Sequence, residues 1–375
     1  MKWAGKGVPT ALTLALTVLL VLLTKNAEIA ADGIKKGLVV VENMLLPTLF
    51  PLLVASELFI SSGILGGAPL LPRPFRKILG VSDRGSVSLC LGLLLGVPVG
   101  ALLATADLEA GRIEKGEHCR IVCLTAAPSM GFLVGVVGGG VFGSPTLGWM
   151  LYGSAVLAAL TVAICWHIFD KKTPTNTKTT QDVVRKTGFA EIFTASVKKS
   201  MWAFLQIAAF VLTFSALTAY LSVLTATCHL PRFLTVLSGG LLELTAGIMQ
   251  AEGLSSPVHA LLLMAFFAGF AGLSILLQVL SVTGKHAPRL CLLLGIKLAV
   301  GGLTLLFLKI LLLLTQKAVS LAADTAQTSA VLTGNALPVS RCLFLALLLY
   351  LFFHRVLTRP LVYFQGNRYA VPKEK

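Results

Sequence analysis

The sequence predicts an all-α, polytopic membrane protein of about eight transmembrane helices plus two re-entrant hairpins, a count set by the helix length that crosses hydrocarbon. Three observations lead there. Of the 375 residues, 56% are hydrophobic and 13% charged, roughly half the charge fraction of a soluble domain. Apolar runs of spanning length, roughly 17 to 25 residues, recur along the chain. Lysine and arginine gather in a few connecting segments, as they do on the cytoplasmic side of membrane proteins.

The apolar stretches are 8–24, 38–62, 86–105, 120–143, 146–168, 200–227, 236–250, 257–283, 289–314 and 342–357. Lys2 and Lys6 precede the first, as in a signal peptide, but no small-residue cleavage pattern follows Leu23, so an uncleaved helix is expected. Basic residues mark three cytoplasmic segments: the loop with Arg73, Arg76, Lys77 and Arg84, the linker 169–199, and the tail from Arg355. If 86–105 and 120–143 both crossed, the basic linker would fall outside, so one of them must turn back. The same parity argument in the second half singles out 236–250. Segments 84–108 and 232–253 are therefore read as re-entrant hairpins, and both termini fall in the cytoplasm.

An internal repeat follows from the order of elements: crossing, hairpin, Gly/Pro-interrupted crossing, crossing. Residues 38–168 run through it once and 200–314 again, flanked by an N-terminal helix and loop (1–37), the basic linker (169–199) and a C-terminal loop, helix and tail (315–375). The two units begin on opposite sides of the membrane, the inverted arrangement that secondary transporters build around a midplane site. The interruptions are Gly96 to Gly100 and Ala126 to Gly131 in the first unit, and Thr245 to Gly247 and Gly269 to Ser274 in the second.

Half-helices that begin at such breaks expose backbone N–H groups and the positive end of their dipole. Pro98 and Gly100 at one hairpin tip, and Pro128 and Ser129 at the first broken crossing, are expected to face an anionic solute. From the second unit come Glu243, Thr245, Ser274 and Gln278. Ionisable groups inside apolar segments are expensive and functional by default. The candidates singled out are Glu57, Glu243, Lys297 and Lys309; Glu243 ranks first because a hairpin offers little room to snorkel, and it is expected to hold a coupling ion or to pair with Lys297 or Lys309. Gly131, Gly135, Gly139 and Gly143 recur every four residues and predict a close helix contact. His118, in a charged loop, reads as a solvated surface residue.

A formal net charge of +15 without interleaved aromatics argues against nucleic acid. The scattered cysteines suggest neither a disulfide framework nor a metal site. No HExxH, GxSxG or Walker signature occurs, so no enzyme activity and no prosthetic group are expected.

The stretches Leu46 to Pro51 through Ser56-Glu57-Leu58, Gly96 to Ala101, Pro145 to Gly148, Glu243 to Gly247 and Gly272 to Val279 resemble the YlbJ family of sporulation integral membrane proteins over roughly 38–314. The resemblance implies a nucleoside-recognition gate domain like the core of concentrative nucleoside transporters. It also implies a multi-pass protein of the outer forespore membrane, within the bacterial cell membrane system, that moves dipicolinic acid. The chain departs from the family pattern at Leu102, Leu124 and Ala127. The expected function is therefore transport or facilitated passage of a small polar, anionic solute, driven by H⁺ or Na⁺ or by the solute gradient. The alternatives are a non-transporting sporulation membrane protein and a nucleoside-type carrier. Expected partners are the solute, the lipid bilayer, and either a homo-oligomer or other sporulation membrane proteins.

Single-cysteine labelling should find 66–84 and 169–199 cytoplasmic and 228–232 and 320–338 outside. Labelling of the 169–199 linker from outside would remove both hairpins from the topology.

Overall fold

Glycine and proline set where the helices stop. The computed structural model describes residues 26–61, 70–170, 188–252, 254 and 256–325, and among them every regular element is helical. The described residues up to Gln316 form one compact unit; of the second, Lys317–Lys375, the described part is the end of a helix. The first and last apolar stretches, 8–24 and 342–357, and linker residues 171–187 lie outside the described residues.

Helix α1 (Ala27–Val40) passes through a π-helical turn, Val41–Leu45, into α2 (Leu46–Ser61). Pro47 and Pro51 in α2 cannot donate to the preceding turn, and the ladder just before them widens instead of breaking. The short α3 (Arg73–Leu79) meets α4 (Asp83–Leu95) at 78°. Ser82 caps α4 by accepting from Gly85 N–H at 3.0 Å. After a tight turn comes α5 (Val99–Glu109). The 13 residues of α4 rise about 20 Å, short of the roughly 30 Å of hydrocarbon. With α5 folded back against it, α4 forms a helical hairpin where parity placed one.

Helix α6 (Lys115–Thr125) then stops at a non-helical break, the chain resumes as a π-helical segment, Phe132–Val141, and α7 (Pro145–Phe169) follows. The order recurs in the second half. Helix α8 (Phe189–Thr227) precedes α9 (Arg232–Leu242) and α10 (Leu244–Glu252), which form a second short hairpin. A broken pair, α11 (Pro257–Phe270) and α12 (Gly272–Thr283), leads through the turn Gly284–His286 to α13 (Leu290–Thr325).

Each hairpin closes on a glycine pair. A Cβ on Gly92 would stand 2.8 Å from Gly100 Cα, and either glycine's Cβ would meet Thr125. In the second hairpin Gly240 and Gly247 touch in the same way, and a side chain on either would meet the ring of Phe267. Thr125 and Phe267 both lie on the broken segment that follows their hairpin.

Among the described residues, 5 helices are long and apolar enough to cross a membrane: Ala27–Leu58, Pro145–Phe169, Phe189–Thr227, Val258–His286 and Leu290–Thr315, or up to 6 if the bent α3–α4 pair counts as one span. The expected crossing 120–143 is not one of them, because the break after Thr125 leaves two pieces too short to span alone. Helix α8 begins eleven residues before the expected 200–227 and runs for 39 residues.

The expected glycine ridge is not where the helices touch. Phe132–Val141 is π-helical, so a four-residue spacing does not keep one face. A Cβ on Gly135 or Gly143 would meet nothing within 4 Å. The close contact lies at Gly138 and Gly148, where a Cβ on Gly138 would stand 2.6 Å from Gly148 Cα. Gly138→Leu and Gly148→Leu should therefore destabilise by on the order of 1–3 kcal/mol or prevent folding, whereas Gly135→Leu should be tolerated. Thermal unfolding followed by size-exclusion in detergent measures this; equal loss in Gly135→Leu would restore the ridge.

Candidate functional site

Hairpin tips and helix breaks meet in both units. The first tip bonds directly to the first break: Val97 N–H donates to Ala127 O at 3.0 Å. Gly96, at φ 71°, sits so tightly there that a Cβ would stand 2.6 Å from Ser129 N and 2.7 Å from Ala127 O. Both the conformation and the space exclude any residue but glycine. In the second unit Ala271 (φ 77°) and Gly272 (φ 79°) unwind the crossing, and a Cβ on Gly272 would approach Leu244 N at 3.0 Å and Gly240 O at 3.3 Å.

The two tips, the first break and the start of α12 line a cavity of about 50 Å³, the chamber, that also borders α2 and α8. Its polar lining is Ser129 beside Pro128 from the first unit and Glu243, Thr245 and Gln278 from the second; Val97, Ala127, Phe132 and Ile275 are among its apolar walls. Room on that scale holds one or two waters at roughly 30 Å³ each.

Glu243 sits in extended backbone (φ −142°, ψ 123°) between α9 and α10 and is 2% exposed. Its carboxylate folds forward over the first turn of α10, accepting from Ala246 N–H at 2.6 Å and from the Thr245 hydroxyl. It is thus the N-cap of α10. Ser129 has the same part in the first unit, where its Oγ accepts from Phe132 N–H at 3.2 Å. The half-helix ends expected to present free N–H groups to an anion are therefore occupied by the protein's own oxygens. The chamber displays a carboxylate instead, and its described lining includes no lysine, arginine or histidine.

Other expected site residues lie elsewhere. Gly100 is packed against Thr125 and Gly92 inside its hairpin, and Pro98 occupies the N-cap position of α5. Ser274 is fully buried behind the chamber, where its Oγ accepts from Gln278 Nε2 at 3.5 Å. The expected pairing of Glu243 with a lysine is absent: Lys297 is fully buried with no hydrogen-bond partner, and Lys309 is exposed. Glu57 pairs with Lys199 at 2.7 Å, joining α2 to α8. His118 is buried rather than solvated, with Nε2 3.1 Å from Thr105 Oγ1.

The sequence reading missed Asp107, which ties the base of the first hairpin together. It accepts from Ser88 Oγ at 2.7 Å, Arg84 Nε at 3.0 Å and Arg112 Nε at 2.8 Å, and is 3% exposed. The available signal was an aspartate in an apolar helix with an arginine flanking it on either side of the hairpin.

These features define the class: an all-helical, multi-pass integral membrane protein whose broken helices close around a buried carboxylate. The chain is 25% identical over 297 residues to the sporulation integral membrane protein YlbJ of Bacillus subtilis (strain 168), covering 70% of this chain and 73% of that protein. That similarity bears out the resemblance to the YlbJ family carried by the motifs. No family model matches the chain, and no solved structure matches it.

Removal of a helix cap costs about 0.5–2 kcal/mol, whereas a surface ion pair is worth about 0–1 kcal/mol. Glu243→Ala should consequently lower the thermal midpoint of the purified protein more than Glu57→Ala. A larger loss in Glu57→Ala would mean that Glu243 does not cap α10.

Proposed function

We propose that the chain is a transporter or facilitator of small polar solutes, with Glu243 as the charged centre of its pathway. The observation that carries this reading is the chamber itself. Non-helical backbone at membrane depth persists only when buried in protein or lining an aqueous cavity. Here two hairpin tips, the first helix break and the half-helix that begins at the second line one cavity, from units that repeat the same order of elements. An inverted relation of these units in the membrane is part of the proposal, and so is a core like that of concentrative nucleoside transporters. Ligand pockets commonly reach roughly 300–1,000 Å³, so passage of such a solute requires a chamber of about 50 Å³ to widen.

Dipicolinate in the sporulation setting of YlbJ remains the first solute proposed, on the family resemblance. The chamber's electrostatics constrain how it would pass. A carboxylate with no cationic neighbour repels a dianion, so the solute would travel with a cation at Glu243, either H⁺ or Na⁺. The same lining favours a second reading. A neutral solute rich in hydrogen-bonding groups, such as a nucleoside, needs no counter-charge, and Ser129, Thr245 and Gln278 offer it hydroxyl and amide partners.

Proteoliposomes containing the purified protein test both readings, with labelled dipicolinate, other dicarboxylates and nucleosides offered across pH and Na⁺ concentration. Dipicolinate uptake that rises with H⁺ or Na⁺ supports the first; nucleoside uptake alone supports the second. Glu243→Gln keeps an oxygen to accept from Ala246 N–H but removes the charge. It should leave the protein folded while abolishing transport or its cation dependence, and Glu57→Gln should have the milder effect. Parental transport by Glu243→Gln with unchanged pH and Na⁺ dependence would reduce Glu243 to a helix cap.

A further inference from the structure

A second cavity, of about 440 Å³, lies between α1, α8 and α10. It falls in the size range of a ligand pocket, and it reaches the chamber's wall at one residue: Thr245 lines both cavities. The Thr245 hydroxyl hydrogen bonds the Glu243 carboxylate in the chamber, while Ala246 and Gln250, further along α10, line the larger space. Thr245 is thus the residue that the two cavities share.

The larger cavity is polar where it needs to be. Ser222 and Gln250, both in its lining, are joined at 3.5 Å, with Gln250 Nε2 donating to Ser222 Oγ. At the cavity's α1 wall Glu28, Asp32 and Lys36 follow at four-residue spacing on one exposed face, with Lys36 held by Asp32 at 2.7 Å. Two carboxylates against one ammonium leave that wall with an excess negative charge, which raises the local concentration of cations.

We propose that this cavity is the aqueous vestibule through which a small cation, and the solute that accompanies it, reaches Glu243, and that Thr245 is the gate between vestibule and chamber. The inference rests on the transport reading for its purpose, but its geometry is testable without any solute. Breaking one hydrogen bond, from Thr245 to Glu243, opens the way between the cavities and leaves the carboxylate held by Ala246 N–H alone, with capacity to meet an arriving cation.

The test places a cysteine in the chamber, Ile275→Cys, in the full-length protein in proteoliposomes. Its modification by small charged methanethiosulfonates is read at position 275 by mass spectrometry. A trimethylammonium-bearing reagent should react at least several-fold faster than a sulfonate-bearing one of similar length. Ser222→Trp, which fills the vestibule, should slow the reaction tenfold or more, whereas Leu224→Trp, at an exposed position on the same helix, should not. Thr245→Ala should speed it, so the proposal stays testable if Ser222→Trp fails to fold. Unchanged rates in Ser222→Trp and Thr245→Ala, or faster reaction with the anionic reagent, would overturn the vestibule. Transport that survives such a result would leave the functional reading standing with another route. A vestibule that passes these tests without uptake of any solute would reject the functional reading alone.

Discussion

Backbone polar groups that leave a helix inside a membrane have to be satisfied by the protein itself, because hydrocarbon offers no partner. This chain meets that requirement in two ways. The tip at Gly96 is held by the break at Ala127, whose carbonyl accepts from Val97 N–H, whereas Ser129 and Glu243 cap the segments that follow them with their own side chains. The second tip and break pack closely: a Cβ on Gly272 would stand 3.0 Å from Leu244 N. The glycine pairs Gly92 with Gly100 and Gly240 with Gly247 let the hairpin arms close enough for that to happen.

The same economy decides the electrostatics. An N-cap is most often serine, threonine, aspartate or asparagine; glutamate at this tip places a full charge where a hydroxyl would have been enough for α10. The first unit shows the contrast, since Ser129 caps its segment without charge. A buried carboxylate without a cationic partner is expensive, and stability alone gives no reason to keep it. Under the proposed transport reading, occupation by a cation would give one, and it would turn a structural cap into the point where solute and cation movement are linked. Lys297, fully buried on α13 with no hydrogen-bond partner, is a second such cost; its electrostatic neighbour is the Cys123 thiol of α6.

Much of this arrangement was legible in the sequence, because glycine and proline punctuate apolar runs more clearly than any other residues. Gly96-Val97-Pro98, Pro128 and Gly269 to Ser274 mark real interruptions, and the positive-inside count selected 84–108 and 232–253 as the short hairpins. What failed was register. The every-four glycines at 135 and 139 assume α-helical spacing, and a π-helical segment moves the contact to Gly138 and Gly148. Direction failed too: Gly100 packs against Gly92 and Thr125 and Ser274 is fully buried, so neither lines the chamber, which periodicity over a three- or four-residue break cannot decide. Capping by Glu243 depends on one side chain turning forward over its own helix, and Asp107 escaped notice because the apolar stretch was ended before it.

The central claim is that both hairpin tips are docked on the helix breaks within one protected core. Hydrogen–deuterium exchange of the protein in lipid nanodiscs tests it most directly, since amides held in buried hydrogen bonds exchange only when the structure opens. The account predicts that peptides covering 92–100 and 240–247 exchange as slowly as those from α7. Exchange of either tip within seconds, while α7 stays protected, would contradict it.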